Sequence, residues 1–532
     1  MYSWLVLLPP VIVIILATLT RKISWSILAG IITGLLIVHN FSLPVALQDL
    51  VVRLQQTAVA YVHISAFLLL LAVLVTLLEH SGGAYAYGNF VMKYLKRPEH
   101  AEKASLLLSM FFCVDDYFGS LTVGSVMQPL TDKFKIARVK LALLVNGMAA
   151  PLVVLFPVSS WVAEIIIQLR QSGIESAGTA GALIQADLLP FYVSTIPFLF
   201  YAFLAIAALW FLVISRLSFG LLHKHEEIAQ RTGNLFAGKM PLNKRFTQDD
   251  QVNAIHASLA DFLFPILLLF LTVFIGILYF GEWTVFGGQN SFIYALQKSN
   301  VAAALFYGAS VTLFVSLLFL LVRRKIRFQS VPRLFYEGFM LMFPSVITLI
   351  LIWTLSGLLK GDLATGKYLA GLLGTCFQLT YLPMSFFLLA ALTATTMGSC
   401  WGTIGIYVPI AVPMLVALSG VATPTTVTAL PLIVPLIGAI ISGAVVGNHL
   451  SPISDTMLMS STSTGAYHID VVRVQFTFTM PIIAASAIAF LAAGIMLAQG
   501  MPLGATSLIS FAIGLACMMI FFKLLAFLTK RK

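Results

Sequence analysis

Apolar residues run in blocks at 4–20, 25–39, 62–79, 259–280, 302–322, 338–359, 474–497 and 506–528, separated by short polar stretches. The hydrocarbon core of a bilayer is about 30 Å thick, which a helix crosses with about 20 apolar residues. Helices satisfy their own backbone groups at that depth, so these blocks predict membrane-spanning helices. Other stretches break the pattern. Residues 82–103 and 361–378 are amphipathic, and 104–131 and 381–418 are apolar but interrupted by polar and glycine-rich points. The pairs 141–163 with 189–216, and 428–460 with 474–497, read as further spans. The fold class predicted is an all-α polytopic membrane protein with re-entrant helical hairpins and broken helices.

Composition strengthens this reading. Of 532 residues 60% are hydrophobic and only 10% charged, far too few charges for a soluble surface of that size. The net charge of +11 sits in short loops between apolar runs, so it argues for membrane orientation and against nucleic acid. The first apolar block lacks a basic n-region and is followed by Arg21-Lys22, so it reads as a span rather than a signal peptide. The cysteines at 113, 376, 400 and 517 show no metal-ligand spacing. No Walker A motif and no nucleophile flanked by a base stands in the chain, so neither ATP-driven pumping nor an enzyme is expected.

Basic loops orient the chain. Arg21-Lys22, Lys93–Lys103, Lys133–Lys140, Arg216–Arg245, Arg323–Arg333 and the tail Lys530-Arg531-Lys532 favour the cytoplasm. With that assignment, 4–20, 25–39 and 62–79 run opposite to 259–280, 302–322 and 338–359. The expected organisation is repeat 1 at 1–216 with hairpin 104–131, a cytoplasmic linker at 217–258, repeat 2 at 259–497 with hairpin 381–418, and an extra span and basic tail at 498–532. Two copies of one fold with inverted topology are a recurring plan of secondary transporters, whose sites lie near the midplane where helices are interrupted. Weak echoes match: Gly119-Ser120 with Gly398-Ser399, and Pro151 before Ser159-Ser160 with Pro452 before Ser460-Ser461.

Few acidic residues interrupt apolar segments: Asp115, Asp116, Glu164 and Asp455. A carboxylate at membrane depth costs several kcal/mol unless paired, protonated or bound to a cation. Asp115 and Asp116 are adjacent, so one is expected to face a cavity and the other to cap the second hairpin arm. The run Asn448, His449, Ser451, Pro452, Ser454, Asp455 and Thr456 places oxygen ligands beside a helix break, which suits a hard cation such as sodium. His449 reads equally as a structural histidine or a proton carrier. Thr396, Ser399 and Thr403 sit at the second hairpin tip, where exposed backbone binds anions or cations. Ser120, Asn146, Ser159 and Ser160 are further candidates for the ion or substrate site, and Asp115, Asp116, Asp455 and His449 for proton coupling. Helix capping and small-residue packing are the bland alternatives at each.

The runs Phe111–Phe118, Met127–Lys133, Ala149-Ala150-Pro151, Pro157–Trp161, Gly398–Gly405 and Ser451–Thr456 resemble the NhaC-type sodium/proton antiporter family. The resemblance covers both halves in matching order. It implies a place in the ion-transporter superfamily, hairpins meeting at a central site, and exchange of sodium for protons. In some relatives it implies sodium- or proton-linked movement of organic anions or amino acids. Many relatives carry aspartate where this chain has Asn146 and Asn448, which removes two charges and favours a neutral or anionic substrate. The expectation is therefore an antiporter-like secondary carrier, with a permease for a small organic anion or amino acid as the alternative. No cofactor is expected beyond sodium as coupling ion or cargo. Expected partners are membrane lipid, sodium and protons, with a small organic solute and a homodimer as further candidates. The location expected is the bacterial inner membrane.

Overall fold

The computed structural model describes residues 4–83, 86, 90, 97–113, 115–157, 159–179, 181–240, 258–374 and 378–530. Residues 84–85, 87–89 and 91–96 of the amphipathic stretch 82–103, residues 241–257 of the linker 217–258, residues 375–377 with Cys376, and the last two residues of the basic tail lie outside them. Among the described residues eleven helices are long and apolar enough to cross a membrane. The chain is a multi-pass, all-helical membrane protein. Three two-residue strands, β1 Ile174–Glu175, β2 Ile184–Gln185 and β3 Thr425–Thr426, add a small parallel sheet that the sequence pattern does not signal.

One bundle is built from α1 Leu8–Thr20, α2 Ile23–Val38, α3 Leu43–Ala60 and α4 Val62–His80. It is completed by α12 Leu259–Phe280, α14 Val301–Val322 and α15 Val331–Lys360. Here α1 packs on α2, α12 on α14, α15 on both α2 and α4, and α14 on α4. The helix α3 occupies a segment with no assigned span, and it is amphipathic. Its Arg53 bonds Asp49 at 2.9 Å and Asp362, just beyond α15, at 2.8 Å. The Arg53–Asp362 pair ties the middle of α3 to the end of α15. Glycines bring the spans close: a methyl on Gly338 of α15 would sit 2.6 Å from Val73 Cα of α4. Close backbone packing is how helices associate where lipid supplies no hydrophobic drive.

The second bundle starts with α5 Pro98–Phe111 and α6 Asp116–Lys133, followed by α7 Arg138–Leu155 and α8 Ser160–Ser172. Next come α9 Leu188–Thr195, α10 Phe200–Ser215 and α11 Gly220–Thr232. After α13 Phe292–Lys298 and α16 Thr365–Leu373, it resumes with α17 Leu382–Met397, α18 Cys400–Ser419, α19 Ile433–Leu450, α20 Asp455–Thr464, α21 His468–Ala498 and α22 Leu503–Lys530. Both interrupted regions contain a helix break, α5 to α6 at 112–115 and α17 to α18 at Gly398-Ser399, and α17 and α18 are each long and apolar enough to cross a membrane. Gly398 adopts φ +72°, a left-handed conformation open to glycine, and ends α17.

One stretch read as a single span is broken instead, and another parts where the sequence put a helix break, at Pro452. Residues 141–163 divide into α7 and α8 at 156–159, and 428–460 divides into α19 and α20 at 451–454. The proline echo does not mark equal places, because Pro151 lies inside α7 whereas Pro452 lies in the break. The segment 189–216 is also split, into α9, a short 3-10 turn at Ile196–Phe198, and α10. The segment after each break packs on a helix distant in sequence: α8 packs on α18, and α20 packs on α6. α17 lies along α19, where Gly447 would place a methyl 2.4 Å from Ala394 Cβ. The two bundles meet where α15 packs against α8 and α18.

Candidate functional site

A cavity of ≈ 210 Å³ opens between the bundles. Tyr117, Ser399, Cys400, Trp401, Asn448, Asp455 and Thr456 line one wall; Ile23 and Ser24 of α2 and Pro344, Ser345, Thr348 and Leu349 of α15 line the other. Three helix starts converge here, each just after a break in the chain. Asp116 and Asp455 are the first residues of α6 and α20, and Cys400 is the first of α18. The unpaired N–H groups of a helix start favour negative charge, so both carboxylates sit where the backbone stabilises them.

The bonding around these acids is sparse. Tyr117 Oη donates to Asp455 Oδ2 at 3.2 Å. Asn448 Nδ2 donates to Asp116 Oδ2 at 3.4 Å, while Asp116 Oδ1 is buried with no hydrogen-bond partner among the described residues. Ser454 reaches Asn448 Oδ1 at 3.4 Å and Thr456 Oγ1 at 3.1 Å. Asn146 of α7 donates to the Asn448 carbonyl at 3.4 Å and accepts from Ser460 at 3.4 Å. The two asparagines are therefore in direct contact, Asn448 in the cavity wall and Asn146 behind it. Long bonds and an unmet carboxylate oxygen leave capacity for one more positively charged or hydrogen-donating group.

The remaining sequence candidates divide. Asp115 is buried at the hairpin turn, and its carbonyl accepts from Gly119 N at 3.1 Å. Ser399 and Ser159 are helix caps, accepting from Gly402 N at 3.0 Å and Val162 N at 3.3 Å. Thr403 donates to the Ser399 carbonyl at 2.8 Å, one turn inside α18. Ser451 supports its own turn by accepting from Ile453 N at 3.4 Å. Thr396 bonds back to Leu392 and Thr393 and is absent from the cavity wall. The Ser120 carbonyl accepts from Ser463 at 2.8 Å, which fastens α6 to α20. Ser160 opens α8 and is buried; its neighbour Trp161 packs on Trp401 with ring centroids 4.7 Å apart. His449 turns away to Tyr201 Oη at 2.6 Å, and its Nε2 has no partner among the described residues.

The second wall escaped sequence reasoning. Ser24 and Thr348 hydrogen-bond to each other at 2.7 Å across 324 positions. Hydroxyls within apolar spans are common, and nothing in the chain couples these two. Tyr117 could have been found, since it directly follows the paired aspartates. Cys113, Cys400 and Cys517 are free thiols, and Cys400 is buried at the cavity edge.

Residues 152–495 match the model of the Na+/H+ antiporter family. That match spans more than half of the chain, which belongs to this family. An uncharacterised protein of Haemophilus influenzae is 29% identical over 500 residues, covering 92% of this chain and 90% of the relative. Among solved structures, the YdaH transporter of Alcanivorax borkumensis is 12% identical with a TM-score of 0.48, over 86% of this chain and 90% of that one. MtrF of Neisseria gonorrhoeae, described within a class of antimetabolite efflux pumps, is 13% identical with a TM-score of 0.39, over 84% of each chain.

Proposed function

We propose that this protein is a sodium/proton antiporter-type secondary carrier working by alternating access around the Asp116–Asp455 cavity. The observation that carries the reading is a cavity at the junction of two hairpin and broken-helix units, walled by Asp455 and backed by an under-bonded Asp116. Family membership supports sodium and proton as the exchanged ions. Asp455 with Asp116 or Asp115 alternately holds a cation and protons, because a carboxylate that is protonated no longer attracts sodium. Tyr117, Asn448 and Thr456 supply neutral oxygen ligands of the kind a hard cation accepts.

The repeat organisation enters the same reading. Residues 1–216 and 259–497 are taken as inverted repeats, joined by a cytoplasmic linker at 217–258 and followed by an extra span and tail at 498–532, in a bacterial inner membrane. The exchange of partners between halves, α8 on α18 and α20 on α6, supports it. Ile23 and Ser24 follow directly on the basic Arg21-Lys22, which supports a cavity reached from the cytoplasm. The bundle carrying both hairpins moves against the bundle carrying α2, α4 and α15.

A second reading is favoured by size. A cavity of ≈ 210 Å³ far exceeds the volume of a single water, about 30 Å³, and a void of about 150 Å³ can hold benzene. That room supports the alternative of a cation-coupled carrier for a small organic anion or amino acid, with Ser399 and the α18 N-terminus holding its carboxylate. The test is sodium-driven pH change in everted vesicles. Asp455→Asn is expected to abolish exchange; unchanged exchange rejects the site. Concentrative solute uptake without solute-free sodium/proton exchange selects the second reading.

A further inference from the structure

Away from the cavity, α8, α15 and α18 close on a second polar group, in which Glu164, Gln168, Trp353 and Ser356 are all fully buried. Glu164 Oε2 accepts from Trp353 Nε1 at 2.5 Å, and Oε1 accepts from Gln168 Nε2 at 2.8 Å. Both donors are neutral. Gln168 Oε1 in turn faces Ser356 Oγ at 2.8 Å, and the same hydroxyl faces the Gly405 carbonyl at 2.7 Å. A serine hydroxyl has one proton, so it can donate to one of these two acceptors at a time.

Which acceptor has the stronger claim follows from the sequence. Position 409, four residues after Gly405, is a proline inside α18. Proline has no N–H, so the Gly405 carbonyl lacks its helical donor, and Ser356 replaces it. With Glu164 ionised, Gln168 Oε1 is then left without a proton. Rotating the Gln168 amide by half a turn, an assignment that atom positions alone do not fix, resolves the conflict if Glu164 gains a proton. Glu164 Oε1–H then donates to Gln168 Oε1, Gln168 Nε2 donates to Ser356 Oγ, and Ser356 donates to Gly405. Each of these four side chains and the Gly405 carbonyl then has a hydrogen-bond partner, and no charge is buried.

We infer that Glu164 is a second proton-binding site of this protein, separate from the Asp116–Asp455 cavity and loaded when α15 is docked against α8 and α18. The bond formed is O–H at Glu164 with a proton from bulk water, and parting of the seam hydrates the carboxyl and returns that proton to water. The docking is tight. A methyl on Gly405 would lie 2.1 Å from Ile352 Cγ2, so α15 and α18 touch at the glycine itself. Other titratable groups near the seam stand at its margins. Tyr61, at the end of α3, packs on Trp353 with centroids 4.9 Å apart and accepts from Gln171 at 3.2 Å. Arg170 and Glu175 lie at and just beyond the end of α8, and Lys360 ends α15. α18 contributes Cys400 and Tyr407 and no acid or base of higher charge, α7 carries Arg138 and Lys140 in its first turn, and α4 carries His63, Glu79 and His80. No cation among these bonds Glu164, whose two acceptor contacts are the neutral ones above.

The consequence for coupling rests on the carrier reading, whereas proton binding itself does not. The full-length protein in lipid vesicles should be examined by infrared difference spectroscopy across the range in which carboxylates and imidazoles titrate. A protonated-carboxyl band that Glu164→Gln removes, and that survives in Asp116→Asn and Asp455→Asn, is expected. Superimposable spectra of wild type and Glu164→Gln overturn the inference. Ser356→Ala, which keeps the acid, is expected to move the band and its pH midpoint, and an unmoved band overturns the relay. Sodium-driven pH change in the same vesicles is scored separately, so a wild type without exchange refutes the antiporter reading while the spectra still decide Glu164.

Discussion

Consecutive turns of α15 face two different worlds. Residues 344–349 wall the cavity opposite Asp455, whereas residues 352–356 close against Glu164 and Gly405 with no space between. Each acid stands near the start of the second half of a broken helix, Asp455 at the first residue of α20 and Glu164 in the second turn of α8. At the cavity, bonds to the acids are 3.2 and 3.4 Å and one carboxylate oxygen is unmet. At the seam they are 2.5 and 2.8 Å. The difference teaches that one helix can serve as the fixed wall of an open face and a shut face at once. A carrier needs that arrangement if the open and shut faces are to exchange.

Breaking the open face is expected to have the largest effect. Gly398→Val puts a branched side chain at φ +72°, with its Cβ 2.5 Å from Ile453 Cγ1. Strain of about 1–3 kcal/mol at the hairpin tip should displace Ser399 and Cys400 from the wall. Exchange in vesicles is expected to fall to background, and the detergent-solubilised protein to melt earlier. Breaking the shut face should act less severely. Gly405→Ala is expected to destabilise the docked seam by about 1–3 kcal/mol through overpacking. A cysteine introduced at Ile352 should then label faster with a membrane-impermeant thiol reagent than in the Gly405 background, and equal rates count against a sealed seam. The smallest effect belongs to the rim. Thr348→Ala removes one hydrogen bond to Ser24 and should change stability by about 1 kcal/mol, with apparent sodium affinity altered no more than a few-fold.

The same comparison shows what was legible in the chain. Asp115-Asp116 and Gly398-Ser399 interrupt apolar runs with residues that stop helices, so the helix breaks there and before Asp455 were readable. The α7/α8 break was missed: Pro151 stays helical inside α7, while the chain parts at 156–159, where Pro157 and the capping Ser159 were the available signal. Glu164 was visible as an acid in an apolar run with Gln168 one turn on, yet its other partner, Trp353, lies 189 positions away, and Ser356 reaches it only through Gln168. Local pattern marks where a helix ends. It carries no record of which distant helix supplies the missing hydrogen bond, as Ser356 does for the carbonyl stranded by Pro409.

The small parallel sheet has a mechanical meaning. β2 pairs on one side with β1, just after α8, and on the other with β3, in the connection leading to α19. Its two neighbours thereby leash one broken helix to the approach of the other at a single surface of the molecule. A pull on α8 would then reach α19 and α20 through six residues of backbone hydrogen bonding, rather than be absorbed in two slack loops. The two acids would then travel as cargo on one rigid carriage, and a proton taken up at Glu164 would be felt at Asp455 without any wire of side chains between them.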